Sequence, residues 1–119
     1  MSEKQKLLIV DDSELNRDIL KEILGSRYDY MEAENGTQAI QILEVHPEID
    51  LMLLDINMPQ MNGFQVLEHM RELQWIDEVP VVMISSEESV EIMRKAYDLG
   101  ITDYISRPFD AVIVKKRVQ

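Results

Sequence analysis

Short, continuous apolar runs alternate along this chain with stretches whose apolar residues recur at helical spacing. A strand with one face in water alternates apolar and polar residues, so a continuous run predicts a strand that is covered on both faces. Strands of this kind that alternate with amphipathic helices predict parallel strand–helix–strand units and an α/β fold. We predict five helices and five strands, the strands at residues 7–10, 28–33, 51–54, 79–84 and 104–105.

The helical stretches carry signals for their ends. The first helix is predicted to have Asp12 or Ser13 as its N-cap and to stop at Gly25. The fourth helix is predicted to close at Gly100, and the fifth to begin near Asp110. The apolar positions that mark the first helix are Leu15, Ile19 and Ile23, flanked by Leu20 and Leu24, and those that mark the fourth are Val90, Met93, Ala96 and Tyr97.

The composition narrows the function classes. The 119 residues include no cysteine, so disulfides and thiolate metal sites are excluded. The formal net charge of −11 opposes binding to nucleic acids, which depends largely on lysine and arginine at phosphates, and it favours cations and basic partner surfaces. The apolar runs are too short to span a bilayer, and no secretory signal is visible. We therefore expect one cytoplasmic domain that contacts neither nucleic acid nor membrane directly.

Three carboxylates stand where predicted strands end. Asp11 and Asp12 follow the first strand, and Asp55 follows the third. In an open parallel sheet, binding sites form beyond the carboxyl ends of the strands, where the strand order reverses. In the flavodoxin-like order 2-1-3-4-5, strands one and three are neighbours, which brings the three acids together. Clustered acids need a cation, and Mg²⁺ fits best because it shares carboxylates, waters and phosphoryl oxygens.

A hydroxyl and a cation are predicted at the same edge of the sheet. Ser85 leaves the fourth strand, and Arg107 follows the fifth. A carboxylate beside Mg²⁺ with these two groups nearby is suited to phosphoryl transfer, with Asp55 as the nucleophile and Arg107 on the phosphoryl oxygens. No glycine-rich phosphate loop accompanies them, so ATP is not expected as the direct donor.

Four segments together resemble the receiver domain of two-component response regulators, over essentially the whole chain. They are LLIVDDSELNR, LMLLDINMPQMNGFQVL, VPVVMISSE and ITDYISRPFD, in the family's order and at the family's strand ends. The resemblance implies a single-domain, three-layer α/β sandwich. It implies that Asp55 is the phosphoryl acceptor and that Ser85 and Tyr104 are switch residues. It implies that Mg²⁺ or Mn²⁺ is bound by Asp11, Asp12, Asp55 and the backbone carbonyl of Asn57. It also implies a cis peptide bond before Pro108.

The resemblance also implies what such a domain does. Asp55 would accept a phosphoryl group from a histidine kinase or a phosphotransfer protein in a Mg²⁺-dependent reaction. The face made by the fourth helix, the fifth strand and the fifth helix would then control a C-terminal output domain or a partner protein, with homodimerisation through that face. Residues 1–119 would be the N-terminal part of a longer protein. The domain would not be an enzyme, beyond assisting its own phosphorylation and dephosphorylation.

Arg107 departs from the family, which has lysine at this position. Arginine is a planar fork that binds carboxylates through two nitrogens, whereas lysine is a point charge. We predict that the fork binds Asp55 bidentately in the unphosphorylated protein and competes with Mg²⁺ for its oxygens. Switching is then expected to be less complete than in receivers with lysine.

Other interpretations of these residues stay open. Asp12 could simply cap the first helix, and Ser85 could cap the fourth, with Glu88 completing a capping box. The domain could be a degenerate receiver that is never phosphorylated, an interpretation that only Arg107 supports. It could also be an aspartyl-phosphate hydrolase, but such an enzyme normally needs a second acid two residues after the nucleophile, where Asn57 stands.

Overall fold

Strands and helices alternate along the chain as the apolar pattern predicts. The computed structural model describes residues 4–58, 61–86 and 89–118. The strands are β1 (Gln5–Val10), β2 (Tyr28–Ala33), β3 (Leu51–Asp55), β4 (Val81–Ser85) and β5 (Asp103–Ser106). The helices are α1 (Glu14–Leu24), α2 (Gly36–Val45), α3 (Gly63–Glu72), α4 (Val90–Asp98) and α5 (Ala111–Val118). No helix within the described ranges has both the length and the apolar character that crossing a bilayer requires.

The strands form a parallel sheet in the order β2-β1-β3-β4-β5, which confirms the predicted flavodoxin-like topology. Its fourth strand begins at Val81 rather than at residue 79. Pro80 precedes it and has no N–H to donate to a neighbouring strand. Its carbonyl accepts the Met52 N–H at 2.9 Å, so Pro80 adds to the pairing of β3 with β4 through its acceptor alone.

Helices cover the sheet on both faces, which explains the continuous apolar runs. Alternate residues of a strand point to opposite faces. Leu8 and Val10 of β1 belong to a core cluster shared with α2, α3 and α4, whereas Leu7 and Ile9 belong to a cluster shared with α1 and α5. All four side chains are at most 1% exposed. The central strands are thus closely packed on both faces.

The first helix begins and ends where predicted, and it buries Leu20 and Leu24 of the predicted apolar residues. Ser13 rather than Asp12 is its N-cap, with a hydroxyl that accepts a backbone N–H three residues on at 3.2 Å. Gly25 follows the helix with φ +77°, a conformation that glycine adopts without strain. Leu15 is 68% exposed, so its predicted place on the apolar face was wrong. The buried positions are Arg17, Leu20 and Leu24.

The two helices beside β5 keep large apolar side chains exposed. On α4, Val90 is 68% and Tyr97 is 44% exposed, and on α5, Val112 is 62% and Ile113 is 44% exposed. Ala96 is the buried residue of α4, so Val90 and Tyr97, which mark this helix in the sequence, lie on its exposed side. The apolar positions that mark α4 in the sequence therefore belong in part to the surface of the domain.

Candidate functional site

The strand order brings the three predicted acids together. β1 pairs with β3, and Val10 lies opposite Leu54, so Asp11 and Asp55 follow at the same edge of the sheet. Side-chain oxygens of Asp11, Asp12 and Asp55 lie within 4.8 Å of one another. Asp11 and Asp55 are 0% and 1% exposed, whereas Asp12 is exposed. The carboxylates converge as the sequence predicts, and their roles stay predictions.

Backbone amides orient the two buried carboxylates. The Ser13 N–H donates to Asp11 Oδ1 at 2.9 Å, and the Asn57 N–H donates to Asp55 Oδ1 at 3.3 Å. Each contact closes a short turn directly after a strand, a turn that aspartate forms readily. The part of Asn57 predicted to bind the metal is its carbonyl, and that role stays a prediction.

A single nitrogen of Arg107 bridges the two buried acids. Its Nη2 lies 2.7 Å from Asp11 Oδ2 and 3.0 Å from Asp55 Oδ1. The predicted two-nitrogen fork on Asp55 was therefore wrong. Because the acids lie side by side, one nitrogen between them neutralises part of both charges, whereas a fork on Asp55 would leave Asp11 without a cation. Arg107 Nε is buried and has no hydrogen-bond partner within the described ranges. Competition between Arg107 and Mg²⁺ for these oxygens stays a prediction.

Burial and mutual repulsion oppose ionisation of the two acids. Burial, and then the charge of Asp11, raises the pKa of Asp55 from 3.8 to about 6 against the opposing effect of Arg107. Burial also raises the pKa of Asp11, against the opposing effects of the Ser13 N–H and Arg107. One guanidinium thus leaves the carboxylates incompletely neutralised. A hard divalent cation with oxygen ligands would supply the missing charge, and this donor set fits Mg²⁺.

The raised pKa of Asp55 predicts that Asp55→Asn stabilises the metal-free protein. As the pH rises, the unfolded chain loses this proton near 3.8 and the folded protein only near 6, so the free energy of unfolding falls between those values. At neutral pH the cost of the charged form is about 3 kcal/mol, and the variant is expected to recover about 1–3 kcal/mol of it. Urea unfolding in EDTA at pH 7.5 measures the gain.

The same comparison at low pH supplies the control. Below about pH 3, Asp55 is mostly protonated in both states, and the Asp55→Asn variant and the wild type should unfold at nearly the same urea concentration. Asp29→Asn removes an exposed acid of β2 and should leave the midpoint unchanged at both pH values. A lower midpoint for Asp55→Asn at pH 7.5 would contradict the electrostatic interpretation.

Ser85 stands beside the acid cluster as the last residue of β4. It is 0% exposed, and the preceding residue, Ile84, lies opposite Asp55 in the sheet. The alternative that Ser85 caps the fourth helix is wrong, because α4 begins only at Val90. Glu88, proposed for the same capping box, lies outside the described residues. The placement suits a hydroxyl that contacts a group on Asp55, and that switch role stays a prediction.

Tyr104 and the peptide before Pro108 belong to the strand at the sheet edge and the loop after it. Tyr104 lies in β5 opposite Met83, is 7% exposed and belongs to the core cluster shared with α2, α3 and α4. Its part in switching stays a prediction. The Arg107–Pro108 peptide bond is cis, as the resemblance implies. The Arg107 N–H also donates to the Ser85 carbonyl at 3.0 Å, which ties this loop to the end of β4.

Gly63 supports the site in a way that the sequence did not reveal. A Cβ at this position would lie 2.6 Å from the carbonyl oxygen of Asp55, so any side chain would displace the backbone of the acceptor residue. The Gly63 N–H also donates to the Ile56 carbonyl at 3.0 Å. The sequence shows a glycine at the end of the turn after Asp55, but a turn alone does not predict that this glycine lies against the Asp55 carbonyl.

Arg17 is the second residue that sequence reasoning missed. It lies on the buried side of α1 and donates from Nη1 to the Asp11 carbonyl at 2.7 Å. Arginine is almost never fully buried unless it is paired, so the apolar pattern of α1 did not include it. Its spacing from Leu20 and Leu24 could have predicted its burial, because residues three and seven positions apart share a helix face.

Comparison with known proteins places these features in a family. A family model described as the response regulator receiver domain matches residues 7–119. The chain belongs to this family. Two curated chemotaxis proteins illustrate the similarity. This receiver domain is 34% identical to chemotaxis protein CheY1 of Helicobacter pylori, over 96% of this chain and 94% of the relative. It is 31% identical to a CheY homologue of Campylobacter jejuni, over 96% of this chain and 89% of the relative.

Solved structures agree with the receiver fold. The CheY chain in a CheX–CheY–BeF₃–Mg²⁺ complex from Borrelia burgdorferi is 31% identical to this receiver domain, with a TM-score of 0.89 over 96% of this chain and 86% of that one. Chemotaxis protein CheY4 of Vibrio cholerae is 28% identical, with a TM-score of 0.88 over 98% of each chain. Membership of this family implies phosphorelay signalling, as expected from the sequence.

Proposed function

We propose that this receiver domain accepts a phosphoryl group on Asp55 from a histidine kinase or a phosphotransfer protein, with Mg²⁺ as the cofactor. The observation that carries the proposal is the set of three carboxylates within 4.8 Å of one another, with the Arg107 cation on two of them. The similar CheY of Borrelia burgdorferi forms a complex that includes Mg²⁺, which supports the choice of metal. Mn²⁺, which takes similar oxygen ligands, is the alternative cation.

Each site residue has a defined task in this reaction. An Asp55 carboxylate oxygen attacks the phosphorus of the donor phosphohistidine; the new O–P bond forms as the P–N bond breaks, and the imidazole leaves with the bonding electrons and takes up a proton. Asp11, Asp12 and Asp55 hold the cation, with the Asn57 carbonyl as a further oxygen. When bound, Mg²⁺ neutralises charge on the phosphoryl oxygens. Arg107 supplies a second positive charge to those oxygens.

The phosphoryl group then changes the surface beside β5. Ser85 donates a hydrogen bond to the new phosphoryl oxygens, and Tyr104 repacks as that hydroxyl moves, so a local charge biases a two-state surface. The exposed apolar side chains of α4 and α5 support an α4-β5-α5 output face, because large exposed apolar groups mark interaction surfaces. This face contacts an output domain or partner protein, or a second copy of the chain in a homodimer.

A longer protein is the proposed setting of this domain. The chain is 34% identical to a probable cyclic di-GMP phosphodiesterase of Vibrio cholerae and spans 25% of that relative's length, while the chemotaxis relatives are little longer than the chain. Its relatives thus include a long protein of which the matching part is about a quarter and proteins that consist of little else. We assign residues 1–119 as an N-terminal receiver domain that controls a C-terminal output domain. The output chemistry belongs to that domain, so the receiver itself has no substrate of its own beyond the phosphodonor.

A small phosphodonor tests the proposed function. Acetyl phosphate with Mg²⁺ should add one phosphoryl group, visible by intact mass and removed by hydroxylamine, whereas EDTA should prevent the addition. No addition under any condition would favour the non-phosphorylated interaction module. Continuous release of orthophosphate far beyond one equivalent would favour the aspartyl-phosphate hydrolase instead.

A further inference from the structure

Arg17 is a buried cation beside the acid cluster that the proposed reaction does not use. The residue is 7% exposed, on the face of α1 that packs against the sheet. Its Nε donates to Glu32 Oε1 at 2.9 Å, and its Nη1 donates to the carbonyl oxygen of Asp11 at 2.7 Å. Glu32 also accepts the Lys21 Nζ at 2.9 Å. The guanidinium is therefore held from one side and holds the Asp11 carbonyl on the other.

The burial of Arg17 calls for a reason why an arginine, rather than an apolar residue, occupies this position. Burying a guanidinium costs free energy unless its charge and donors are matched, and an apolar side chain of similar size often packs as well. Glu32 matches the charge of Arg17, but an apolar residue could not donate to the Asp11 carbonyl. That donation is the contribution particular to arginine at this position.

The Asp11 carbonyl belongs to the peptide that joins two candidate metal ligands. A peptide unit is planar and rigid, so holding its oxygen also sets the direction in which the Asp12 backbone leaves it. Asp11 and Asp55 are oriented by amides and by Arg107. Within the described ranges, no hydrogen bond or ion pair holds the Asp12 carboxylate. The direction of Asp12 therefore depends on its backbone.

We propose that Arg17 is a positioning residue for the metal site: by holding the Asp11–Asp12 peptide, it keeps the exposed Asp12 carboxylate directed at the same point as Asp11 and Asp55. Glu32 and Lys21 fix the guanidinium in turn. This inference rests on the proposed function, since it assigns the cluster to a divalent cation. Residues that orient metal ligands typically contribute about 10- to 100-fold to metal affinity.

The sign of the effect separates positioning from simple electrostatics. Arg17→Met removes a positive charge near the site, so Coulomb's law alone predicts tighter Mg²⁺ binding. Positioning predicts weaker binding, by about 10-fold or more. Isothermal titration with Mg²⁺ on the 119-residue chain measures the affinity. Arg27→Met, which removes an exposed arginine from the turn after α1, is the matched control and should bind as the wild type does.

Further variants keep the test independent of folding. Arg17→Lys retains the charge and one donor nitrogen but loses the planar fork, so it should bind Mg²⁺ more tightly than Arg17→Met and more weakly than the wild type. Glu32→Gln leaves Arg17 in place but removes the charge that fixes it, so it should weaken Mg²⁺ binding more than Glu34→Gln, an exposed neighbour. Coulomb's law alone also predicts weaker binding for Glu32→Gln, because that change removes a negative charge. If Arg17→Met does not fold, as circular dichroism will show, Arg17→Lys therefore decides the question: positioning predicts weaker Mg²⁺ binding than in the wild type, and the retained charge alone predicts equal binding. In metal-free protein, the amide resonances of Asp12 and Ser13 should move in Arg17→Met and not in Arg27→Met.

The possible results distinguish failure of the positioning role from failure of the proposed function. Equal or tighter Mg²⁺ binding by Arg17→Met, or wild-type binding by Arg17→Lys when that variant decides, would overturn the positioning role and leave the proposed function standing. No Mg²⁺ binding by the wild type would overturn both. Weaker binding with shifted Asp12 resonances would establish Arg17 as part of the metal site.

Discussion

Asp55→Asn is expected to take no phosphoryl group from acetyl phosphate, at any Mg²⁺ concentration. An amide has nearly the shape of the carboxylate but lacks the anionic oxygen that attacks phosphorus. Because the two groups match in shape, we expect the packing around this 1% exposed position at the end of β3 to be preserved. Intact mass after incubation, with hydroxylamine treatment of the wild type as reference, measures the loss.

The control for this variant is a matched change at an exposed acid. Asp29→Asn carries the same substitution on β2 and should be labelled like the wild type. A label that persists in Asp55→Asn and maps to Asp11, Asp12 or Ser85 would assign the acceptor to another residue. The variant is also expected to be more stable than the wild type without metal, so loss of labelling together with a higher urea midpoint excludes unfolding as the cause.

Asp12→Ala is expected to abolish the Mg²⁺-dependent part of the labelling. Asp12 is the exposed member of the cluster, so its removal costs little packing, yet it takes away one of the three carboxylates proposed to hold the cation. Labelling with Mg²⁺ should fall to the level that the wild type shows in EDTA. Stabilisation of the folded protein by added Mg²⁺ should disappear as well, because that stabilisation follows the affinity of the folded state for the ion.

Glu14→Ala provides a control of equal charge for this second change. Glu14 is exposed in the first turn of α1, two residues beyond Asp12, and lies outside the described acid cluster. Its removal lowers the local negative charge as much as Asp12→Ala does, without removing a candidate ligand. Undiminished labelling in Asp12→Ala would contradict a metal bound through Asp12. An equal loss of labelling in Glu14→Ala would show that the loss comes from the change in net charge and not from a missing ligand.

The buried acids lower the free energy of unfolding of the metal-free protein, and the variants above measure by how much. Two carboxylates are buried next to each other, and the pKa of Asp55 rises to about 6 because burial and Asp11 disfavour its charged form. Natural proteins often keep such costs where a reactive group must be ready to meet a ligand. A cation that binds the cluster relieves the repulsion, so metal binding and folding stability are linked here through the same oxygens.

The fold class and the location of the site follow from the sequence alone. Continuous apolar runs such as Leu7 to Val10 and Leu51 to Leu54 report strands buried on both faces, because hydrophobic burial acts residue by residue along a strand. The acids that end these runs are predicted to meet once strands one and three are taken as neighbours, as in the flavodoxin-like order, since parallel strands bring their carboxyl ends to the same end of the sheet. Asp11, Asp12 and Asp55 were predicted on that basis and lie together.

Only the tertiary structure decided how side chains from different elements meet. The buried side of α1 carries Arg17 rather than Leu15, because Glu32 from β2 and the Asp11 carbonyl from the end of β1 satisfy the guanidinium. Arg107 reaches two acids through one nitrogen rather than Asp55 through two, because Asp11 lies within its reach. Such choices depend on distances between elements set by packing, whereas a sequence pattern reports each element's own burial and turns.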